Sequence, residues 1–198
     1  MAAPKPLPQG KFRTIYADPP WAGLGDSGFD RANTPPNTAH NQPPSYYYPT
    51  MPLSEIKALP ITDLAADSCY LYLWAINNCL PDAFEVIDAW GFKYITCITW
   101  TKTTGAGMGT YFKGETEHCL FARRGKAEFK MTMEGIRCVS FTKLLAPRRG
   151  HSVKPPEMRD AIEYVSFPPY VELFARSQPP RENWTFWENK AEDLLKPE

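Results

Sequence analysis

The residues with the clearest chemical potential are Asp18-Pro19-Pro20-Trp21, which follow directly on the apolar run from Phe12 to Ala17. Proline cannot continue a central strand, so this run predicts a buried strand that ends before the two prolines. In open α/β sheets, ligands bind outside the carboxyl ends of the strands. The tetrapeptide is therefore predicted to lie where a substrate or cofactor would be held.

The chemistry that these residue types suit is methyl transfer to an aromatic amine such as the exocyclic N6 of adenine. The lone pair of that nitrogen is delocalised into the ring. Two acceptors, one for each N–H, would localise it and stabilise the developing positive charge. The Asp18 carboxylate supplies one acceptor, and the Pro19 carbonyl, directed by the proline-fixed turn, supplies the other.

Trp21 offers a flat face on which a base can stack, an interaction that contributes about 1–3 kcal/mol per base. An alternative reading of the whole tetrapeptide stays open from these residues alone. Asp and Pro are common turn residues, so the segment could be a rigid turn with a capping Asp18 and a core Trp21.

Composition and charge narrow the classes of protein to which the chain can belong. Of its 198 residues, 43% are hydrophobic and 22% are charged, which is ordinary for a globular protein with one substantial core. No apolar run reaches the roughly 18 residues that cross a bilayer. Residues 1–10 lack the apolar stretch of a secretory signal, so we expect a cytoplasmic protein. A net charge of zero argues against binding nucleic acid by charge alone.

A metal site is not expected, because the five cysteines and three histidines show no ligand spacing and no Cys-x-x-Cys pair. Two local basic clusters, Arg123-Arg124-Gly125-Lys126 and Arg148-Arg149, could bind phosphates or could be solvated loops.

The elements that would position Asp18 alternate between strands and helices along much of the chain. This alternation predicts one α/β domain over residues 1–198 with a mainly parallel sheet. Two successive strands around a Gly-rich loop, 105–114, predict an antiparallel hairpin. The predicted strands cover 12–17, 69–75, 94–100, 118–122, 137–141 and 170–175, and the predicted helices cover 50–59, 80–90 and 155–165.

Finer expectations accompany these elements. Thr50 is the predicted N-cap of the first helix, Phe84 belongs to the apolar stripe of the second, and Gly91 ends it. Residues 1–11 are expected to be a flexible tail. The long segment 22–50 is predicted to be an active-site loop.

The sequence resembles the MT-A70 family of N6-adenine methyltransferases from Ile15 to about Asn189. The resemblance is strong because the matching pieces come in the family's order. They are Tyr16-Ala17-Asp18-Pro19-Pro20-Trp21, Tyr48-Pro49-Thr50-Met51, Leu71-Tyr72-Leu73-Trp74, Trp100-Thr101-Lys102-Thr103, Glu117-His118-Cys119-Leu120, His151-Ser152-Val153-Lys154-Pro155, Glu172-Leu173-Phe174-Ala175-Arg176 and Asn183-Trp184.

The resemblance implies a Rossmann-like methyltransferase fold with permuted motif order, a mixed, mainly parallel sheet and helices on both faces. It also implies S-adenosylmethionine as methyl donor, with S-adenosylhomocysteine as product. Residues Asp18 to Trp21 match the catalytic motif, and Lys154 is similar to the lysine at the methionine end of the cofactor. The implied cofactor contacts are Asp18, Lys154, Glu172, Leu173, Phe174, Arg176, Gln178, Asn183 and Asn189.

Several of these positions have structural alternatives. Glu172 in an apolar strand would be costly to bury unpaired, and it could pair with Arg176 instead. Leu173 and Phe174 could be core residues. The chain also departs from longer family members, because no acidic residue precedes Ile15 to contact the cofactor adenine.

Small stand-alone members of the family modify DNA, so the resemblance implies DNA as substrate, with its target base flipped out of the duplex. RNA stays open as the substrate, and so do a small-molecule amine and a non-catalytic nucleic-acid-binding role. A homodimer or a partner subunit stays open as well, and aromatics such as Tyr46, Tyr47 and Trp187 could form a dimer face or could equally be buried. The expected substrate contacts are Trp21, Tyr48, Lys102, Glu117, Arg123 and Arg124.

Overall fold

The first strand, β1 (Phe12–Ala17), ends just before the tandem prolines, as the sequence predicts. The computed structural model describes residues 6–22, 50–105, 111–126, 128–149, 153–175 and 180–188. The further strands within these residues are β2 (Ala65–Ala75), β3 (Lys93–Lys102), β4 (Thr116–Arg124), β5 (Lys143–Ala146), β6 (Tyr170–Leu173) and β7 (Trp184–Trp187). The helices are α1 (Leu53–Ala58), α2 (Ile61–Leu64), α3 (Leu80–Ala89) and α4 (Glu157–Val165), with a 3₁₀ turn at Asn77–Cys79.

These strands form one sheet in the order β5-β3-β4-β2-β1-β6-β7. β1 runs parallel to β2 on one side and to β6 on the other. β6 is parallel to β7, and β3 to β5. Only β4 is reversed, being antiparallel to both β2 and β3. The predicted mixed, mainly parallel sheet and its antiparallel hairpin are therefore confirmed.

Successive strand residues point to opposite sides of the sheet, so each face carries its own apolar side chains. Helices cover both faces. Ile15 and Leu71 belong to the core beneath α1, α2 and α3. Tyr16 and Trp74 belong to a second core, into which α4 inserts Met158. We call this second side the α4 face. The α/β architecture with helices on both faces is confirmed.

Several local expectations were wrong. Pro52, not Thr50, precedes the first helix, and no side-chain hydrogen bond caps it. Phe84 is 40% exposed, because α3 buries Ala83, Val86 and Ile87 instead. No strand forms over 137–141, where Arg137 makes only an isolated bridge to Met131.

The two ends of the described region lie against each other. Strand β7 was not predicted, and its Trp187 is buried, which is one of the two alternatives left open for this side chain. The Trp187 indole N–H donates to the Pro6 carbonyl at 3.0 Å, and Leu7 packs against the core. Within the described residues, no helix is long and apolar enough to cross a bilayer.

Candidate active site

Asp18 lies at the edge of the sheet where the parallel strands β1, β2 and β6 end, which we call the carboxyl edge. Its backbone N–H donates to the Leu173 carbonyl at 3.4 Å, extending the pairing of β1 with β6 by one residue. Asp18 follows Ala17 in the alternation of the strand, so its side chain is directed to the α4 face. The sheet thus presents this carboxylate at the position that ligands occupy in α/β folds.

The turn after Asp18 is fixed by backbone hydrogen bonds. The Trp21 N–H donates to the Pro19 carbonyl at 2.9 Å, and the Met51 N–H donates to the Pro20 carbonyl at 2.8 Å. Trp21 and Met51 also form a parallel bridge. The two ends of the long segment between them therefore meet at the tetrapeptide.

The Trp21 ring is held in the core rather than projecting freely. Its indole N–H donates to the Trp74 carbonyl at 2.9 Å, and the residue is 6% exposed. This contact connects the tetrapeptide to the end of β2, and it fixes the direction in which the neighbouring backbone turns.

Four charged side chains from separate parts of the chain form a continuous row beside this turn. The Lys154 ammonium lies 2.8 Å from an Asp18 carboxylate oxygen and 3.2 Å from a Glu117 oxygen. The other Glu117 oxygen lies 2.8 Å from the Lys102 ammonium. All four side chains are largely buried, with exposed fractions between 9% and 18%. We call Asp18, Lys154, Glu117 and Lys102 the charged row.

The fold explains why these four residues meet. Because β4 is antiparallel, Glu117 at its start lies at the carboxyl edge, opposite Trp100 of β3. Lys102 ends β3 at the same edge. Lys154 precedes α4, which anchors the connection by burying Met158. Residues distant in sequence are thereby brought into hydrogen-bonding distance.

Two tryptophans lie beneath the lysines of the charged row. The Lys154 ammonium is 5.4 Å from the centre of the Trp74 ring, and the Lys102 ammonium is 5.2 Å from that of Trp100. Both distances are within the roughly 6 Å at which a cation is attracted to an aromatic face. Neither tryptophan was singled out from the sequence, although both stand in pieces that matched the family.

Within the charged row, opposite charges offset the effect of burial on each other's pKa. Burial acts to lower the pKa of Lys154, but Asp18 and Glu117 raise this pKa above its ordinary value. Burial acts to raise the pKa of Glu117, but Lys154 and Lys102 hold this pKa below its ordinary value. Near neutral pH Glu117 is therefore a carboxylate and Lys154 an ammonium.

Glu172 lies on β6 beside Tyr16 and forms a buried pair with Arg159 of α4. The two hydrogen bonds are 2.7 Å and 2.8 Å long and engage both carboxylate oxygens. Burial raises the pKa of Glu172, and Arg159 opposes that rise. Arg159 was not predicted from the sequence, although an acidic residue in an apolar strand requires a buried cation. Arg159 also stands on the buried side of its helix, beside Met158.

The next two residues after Glu172 are also buried. Leu173 belongs to the core opposite the α4 face, and Phe174 packs edge-on against Trp187. The backbone of Phe174 is left-handed, with φ of 62°. A bulky residue rarely adopts this conformation. Such strained residues cluster at active sites and ligand clamps, and Phe174 stands at the carboxyl edge.

The structure does not bring three predicted site residues to the carboxyl edge. Arg123 and Arg124 end β4, opposite Tyr70 and Cys69 in the middle of β2. Along the strand they lie about 20 Å from Glu117. Asn183 precedes β7, with its carbonyl bonded to the N–H of Tyr170 at the start of β6. These three residues occupy the opposite edge, which we call the amino edge. Four other predicted residues lie outside the described part of the chain: Tyr48, Arg176, Gln178 and Asn189.

The charged row fits the cofactor that the resemblance implies. The methionine portion of S-adenosylmethionine carries a carboxylate, an ammonium and a sulfonium. Lys154 can pair with the carboxylate, while Asp18 and Glu117 suit the cationic groups. A site with both signs of charge matches this ligand better than a purely basic site would.

Comparisons with known proteins agree with this fit. The family model described as MT-A70 matches residues 12–190. The Type II methyltransferase M.MunI of a Mycoplasma species is 32% identical over an alignment of 193 positions, which covers 92% of this chain and 78% of that protein. The human N(6)-adenosine-methyltransferase catalytic subunit METTL3 is 28% identical over 195 residues. That match covers 93% of this chain but 29% of METTL3, so the chain spans less than a third of that relative.

Proposed function

The chain belongs to the MT-A70 family of S-adenosylmethionine-dependent methyltransferases, and from this premise we propose that it methylates the N6 amino group of adenine in DNA. The observation that carries the proposal is the Asp18 carboxylate, held at the carboxyl edge 2.8 Å from the Lys154 ammonium. Lys154 favours the ionised form of Asp18, which is the form that accepts a hydrogen bond from an amine.

The charge and geometry of the tetrapeptide suit activation of an aromatic amine. The Asp18 carboxylate and the Pro19 carbonyl each accept one N–H of the amino group, which localises the nitrogen lone pair. The Pro19 carbonyl already accepts the Trp21 N–H at 2.9 Å, which fixes its direction and leaves its second lone pair for the substrate.

S-adenosylmethionine, with its methionine portion held by the charged row, would supply an electrophilic methyl group on a positively charged sulfur. The amine nitrogen would accept that methyl group and lose one proton, and S-adenosylhomocysteine would remain as product. Asp18 stabilises the positive charge that develops on the nitrogen, and acceptors aimed at such charge are among the strongest catalytic contributions. Asp18 can hold the released proton before it passes to water.

DNA is the favoured substrate because the chain is similar in extent to the compact Type II methyltransferase, of which it spans 78%. It spans 29% of METTL3, whose name specifies N(6)-adenosine as its target. In duplex DNA the target adenine would have to flip out of the helix to reach the site, at a cost of a few kcal/mol. We further propose that segment 22–50, which includes Tyr48, closes over the flipped base.

The experiment incubates the protein with labelled S-adenosylmethionine and duplex DNA, single-stranded DNA or RNA of matched sequence. Mass spectrometry of the digested nucleic acid is expected to show N6-methyladenine, with the highest yield from DNA. Asp18→Asn should lower the rate by about 10²–10³, because the amide oxygen still accepts a hydrogen bond but lacks the negative charge that stabilises the transition state. The exposed carboxylate Asp63 on α2 provides a matched control, and Asp63→Asn should leave the rate unchanged.

Each alternative has a distinct outcome in this experiment. If only RNA were methylated, RNA would replace DNA as the proposed substrate. No product with the wild-type chain on any nucleic acid, combined with retained binding, would favour the non-catalytic role. Methylated cytosine, or full activity in Asp18→Asn, would overturn the chemistry assigned to the tetrapeptide.

A further inference from the structure

Trp74, the penultimate residue of β2, contacts two parts of the active site at once. Its backbone carbonyl accepts the Trp21 indole N–H at 2.9 Å, which holds the tetrapeptide turn. Its ring lies under the Lys154 ammonium, which is 5.4 Å from the ring centre. Trp74 is fully buried, so a shift of this one residue would disturb both contacts.

The hydroxyl of Tyr16 fixes the orientation of the Trp74 ring. The Trp74 indole N–H donates to this hydroxyl oxygen at 2.7 Å, and both residues are buried. A buried indole N–H needs an acceptor, because leaving it unpaired costs free energy. The Trp100 ring meets the Trp74 ring edge-on, with the ring centres 6.1 Å apart. The Trp74 ring therefore cannot turn away from Lys154 without losing one of these contacts.

Tyr16 is itself held firmly within the sheet. It lies on β1, which pairs with β2 on one side and with β6 on the other. Its ring meets Trp184 edge-on, with the ring centres 6.1 Å apart, and the Arg159 guanidinium lies 5.8 Å from its centre. Tyr16 precedes Asp18 by two residues, so both side chains are directed to the α4 face. The hydroxyl is thus an acceptor at a fixed place beside the charged row.

Lys154 needs a contact that holds its ammonium without neutralising it. It stands in an irregular segment before α4, and its four-carbon side chain is flexible. The carboxylates of Asp18 and Glu117 attract its ammonium, but a ligand that carries its own ammonium competes for both. The Trp74 ring attracts a cation although it carries no net charge. The ring therefore keeps the ammonium in place and leaves its charge available for the carboxylate of a ligand.

From these contacts we propose that Tyr16 and Trp74 are positioning residues, which act through Lys154 on the binding of the methionine portion of S-adenosylmethionine. The inference rests on one part of the proposed function, the contact of Lys154 with the cofactor carboxylate. It does not depend on which nucleic acid is methylated. Tyr16 fixes the ring of Trp74, and this ring holds the ammonium that meets the carboxylate.

Calorimetric titration of the full chain with S-adenosylhomocysteine, without nucleic acid, tests the proposal. Tyr16→Phe removes the hydroxyl and keeps the ring, so the Trp74 indole N–H loses its acceptor. The dissociation constant should rise on the order of tenfold, because the Trp74 ring no longer holds the ammonium in one position. Trp74→Phe breaks the same hydrogen bond from the other side and should have a similar effect.

A double-mutant cycle separates positioning from a general loss of structure. Lys154→Met should weaken binding at least as much as Tyr16→Phe does. In the Lys154→Met background, Tyr16→Phe should add less than about twofold, because the residue through which it acts is absent. In the methylation assay, Tyr16→Phe should raise the KM for S-adenosylmethionine and largely retain kcat, because the contact is made alike in the ground and transition states.

Tyr72→Phe is the matched control. Tyr72 lies opposite Tyr16 on β2, is equally buried, and its hydroxyl also makes a hydrogen bond of 2.7 Å, but with Ser166. Burial raises the pKa of both tyrosine hydroxyls, so neither substitution changes the charge near neutral pH. In urea unfolding the two variants should lose similar stability, since each loses one buried hydrogen bond. Tyr72→Phe should leave the dissociation constant unchanged.

Three results would overturn the positioning role: unchanged binding in Tyr16→Phe, equal weakening in Tyr16→Phe and Tyr72→Phe, or additive losses in the double variant with Lys154→Met. None of them would affect the methylation of adenine by the wild type. If instead the wild type methylated no adenine but Tyr16→Phe alone of the two tyrosine variants weakened binding, the proposed function would fall and the positioning role would stand.

Discussion

Lys154 is the residue on which the electrostatics of the site depend. Its ammonium is shared between the carboxylates of Asp18 and Glu117, at 2.8 Å and 3.2 Å. Without it, two carboxylates would stand close together in a poorly solvated place, with Lys102 as the remaining cation of the row. A lysine just before a helix is disfavoured by the helix dipole, so these two carboxylates must hold it there.

The pH dependence of stability should reveal this coupling. The pKa of Glu117 is lowered in the folded state, so its contribution is complete above the ordinary value of 4.5 and is lost as the pH falls through the folded value. Lys154→Met removes one of the cations that oppose the effect of burial, so the pKa of Glu117 rises. The loss of stability on acidification then begins at a higher pH. The contribution of Lys154, whose folded pKa is raised, is complete below its ordinary value of 10.5 and is lost at higher pH. The variant should lack that alkaline loss.

Thermal unfolding midpoints measured across the acid and alkaline ranges check this prediction. Lys57→Met is the matched control, because the Lys57–Glu85 pair is also 2.8 Å long but is exposed. Exposed pairs contribute about 0–1 kcal/mol, so the control should follow the wild-type pH curve. If the unfolding midpoints of Lys154→Met and of the wild type fell identically on acidification, the coupling would be contradicted.

The buried pair of Arg159 and Glu172 should behave as a unit in stability. Arg159→Met removes one partner and leaves the Glu172 carboxylate buried without its cation, which should cost about 3–5 kcal/mol. Replacing both partners, with Arg159→Met and Glu172→Leu, should recover most of that loss, because no uncompensated charge remains. Urea unfolding at neutral pH measures both effects. A double variant no more stable than Arg159→Met would show that the loss does not come from an uncompensated Glu172 charge.

At the scale of elements, long apolar runs were predictable and short edge strands were not. The run Phe12–Ala17 could be placed to the residue because tandem prolines stop it, and α3 because Gly91, with φ of 75°, ends it. β5 and β7 have four residues each and stand at the two ends of the strand order, where each has only one neighbouring strand within the described residues. Such strands form because a neighbouring strand offers them hydrogen bonds, which a local pattern does not contain.

The turn after β4 depends on a glycine for two separable reasons. Gly125 has a φ of 68°, and a Cβ there would stand 2.0 Å from the Asp67 carbonyl oxygen. Gly105 has a similar φ of 69°, but a Cβ there would meet nothing within 4 Å. Gly105→Ala should therefore show only the backbone cost, about 1–2 kcal/mol. Gly125→Ala should cost about 1–3 kcal/mol more, because the start of β2 must shift.

Denaturant unfolding of the two glycine variants gives both values under the same conditions. The difference between them isolates the close approach of the β4 turn to the start of β2. Equal losses would mean that the turn moves without resistance, and that Gly125 is required for its backbone conformation alone.

At the scale of the whole molecule, the reversed strand β4 decides which predicted residues reach the site. Glu117 and Arg123 are six positions apart, and either end of a strand could have faced the substrate. Because β4 runs antiparallel to β2, Glu117 lies at the carboxyl edge and Arg123 at the amino edge. The sequence identified the tetrapeptide through its local pattern. It could not assign the basic residues to an edge, because that assignment depends on strand pairing.

This arrangement predicts which basic residues contribute to nucleic-acid binding. Lys113 is exposed in the connection between β3 and β4, which lies at the carboxyl edge with Asp18. Arg124 lies at the amino edge and donates to the Thr62 carbonyl at 3.2 Å. Each phosphate contact releases condensed counterions, so losing one reduces the slope of log K against log salt by about 1.

Lys113→Gln should therefore reduce that slope by about one unit and weaken binding to all sequences alike, whereas Arg124→Gln should change neither. Fluorescence anisotropy of a labelled adenine-containing duplex, titrated at several salt concentrations, measures both quantities. The two substitutions each remove one positive charge, so a difference between them cannot come from net charge. If Arg124→Gln reduced the slope and Lys113→Gln did not, the nucleic acid would lie along the amino edge. The carboxylate of Asp18 would then be too far from it to serve as the catalytic acceptor.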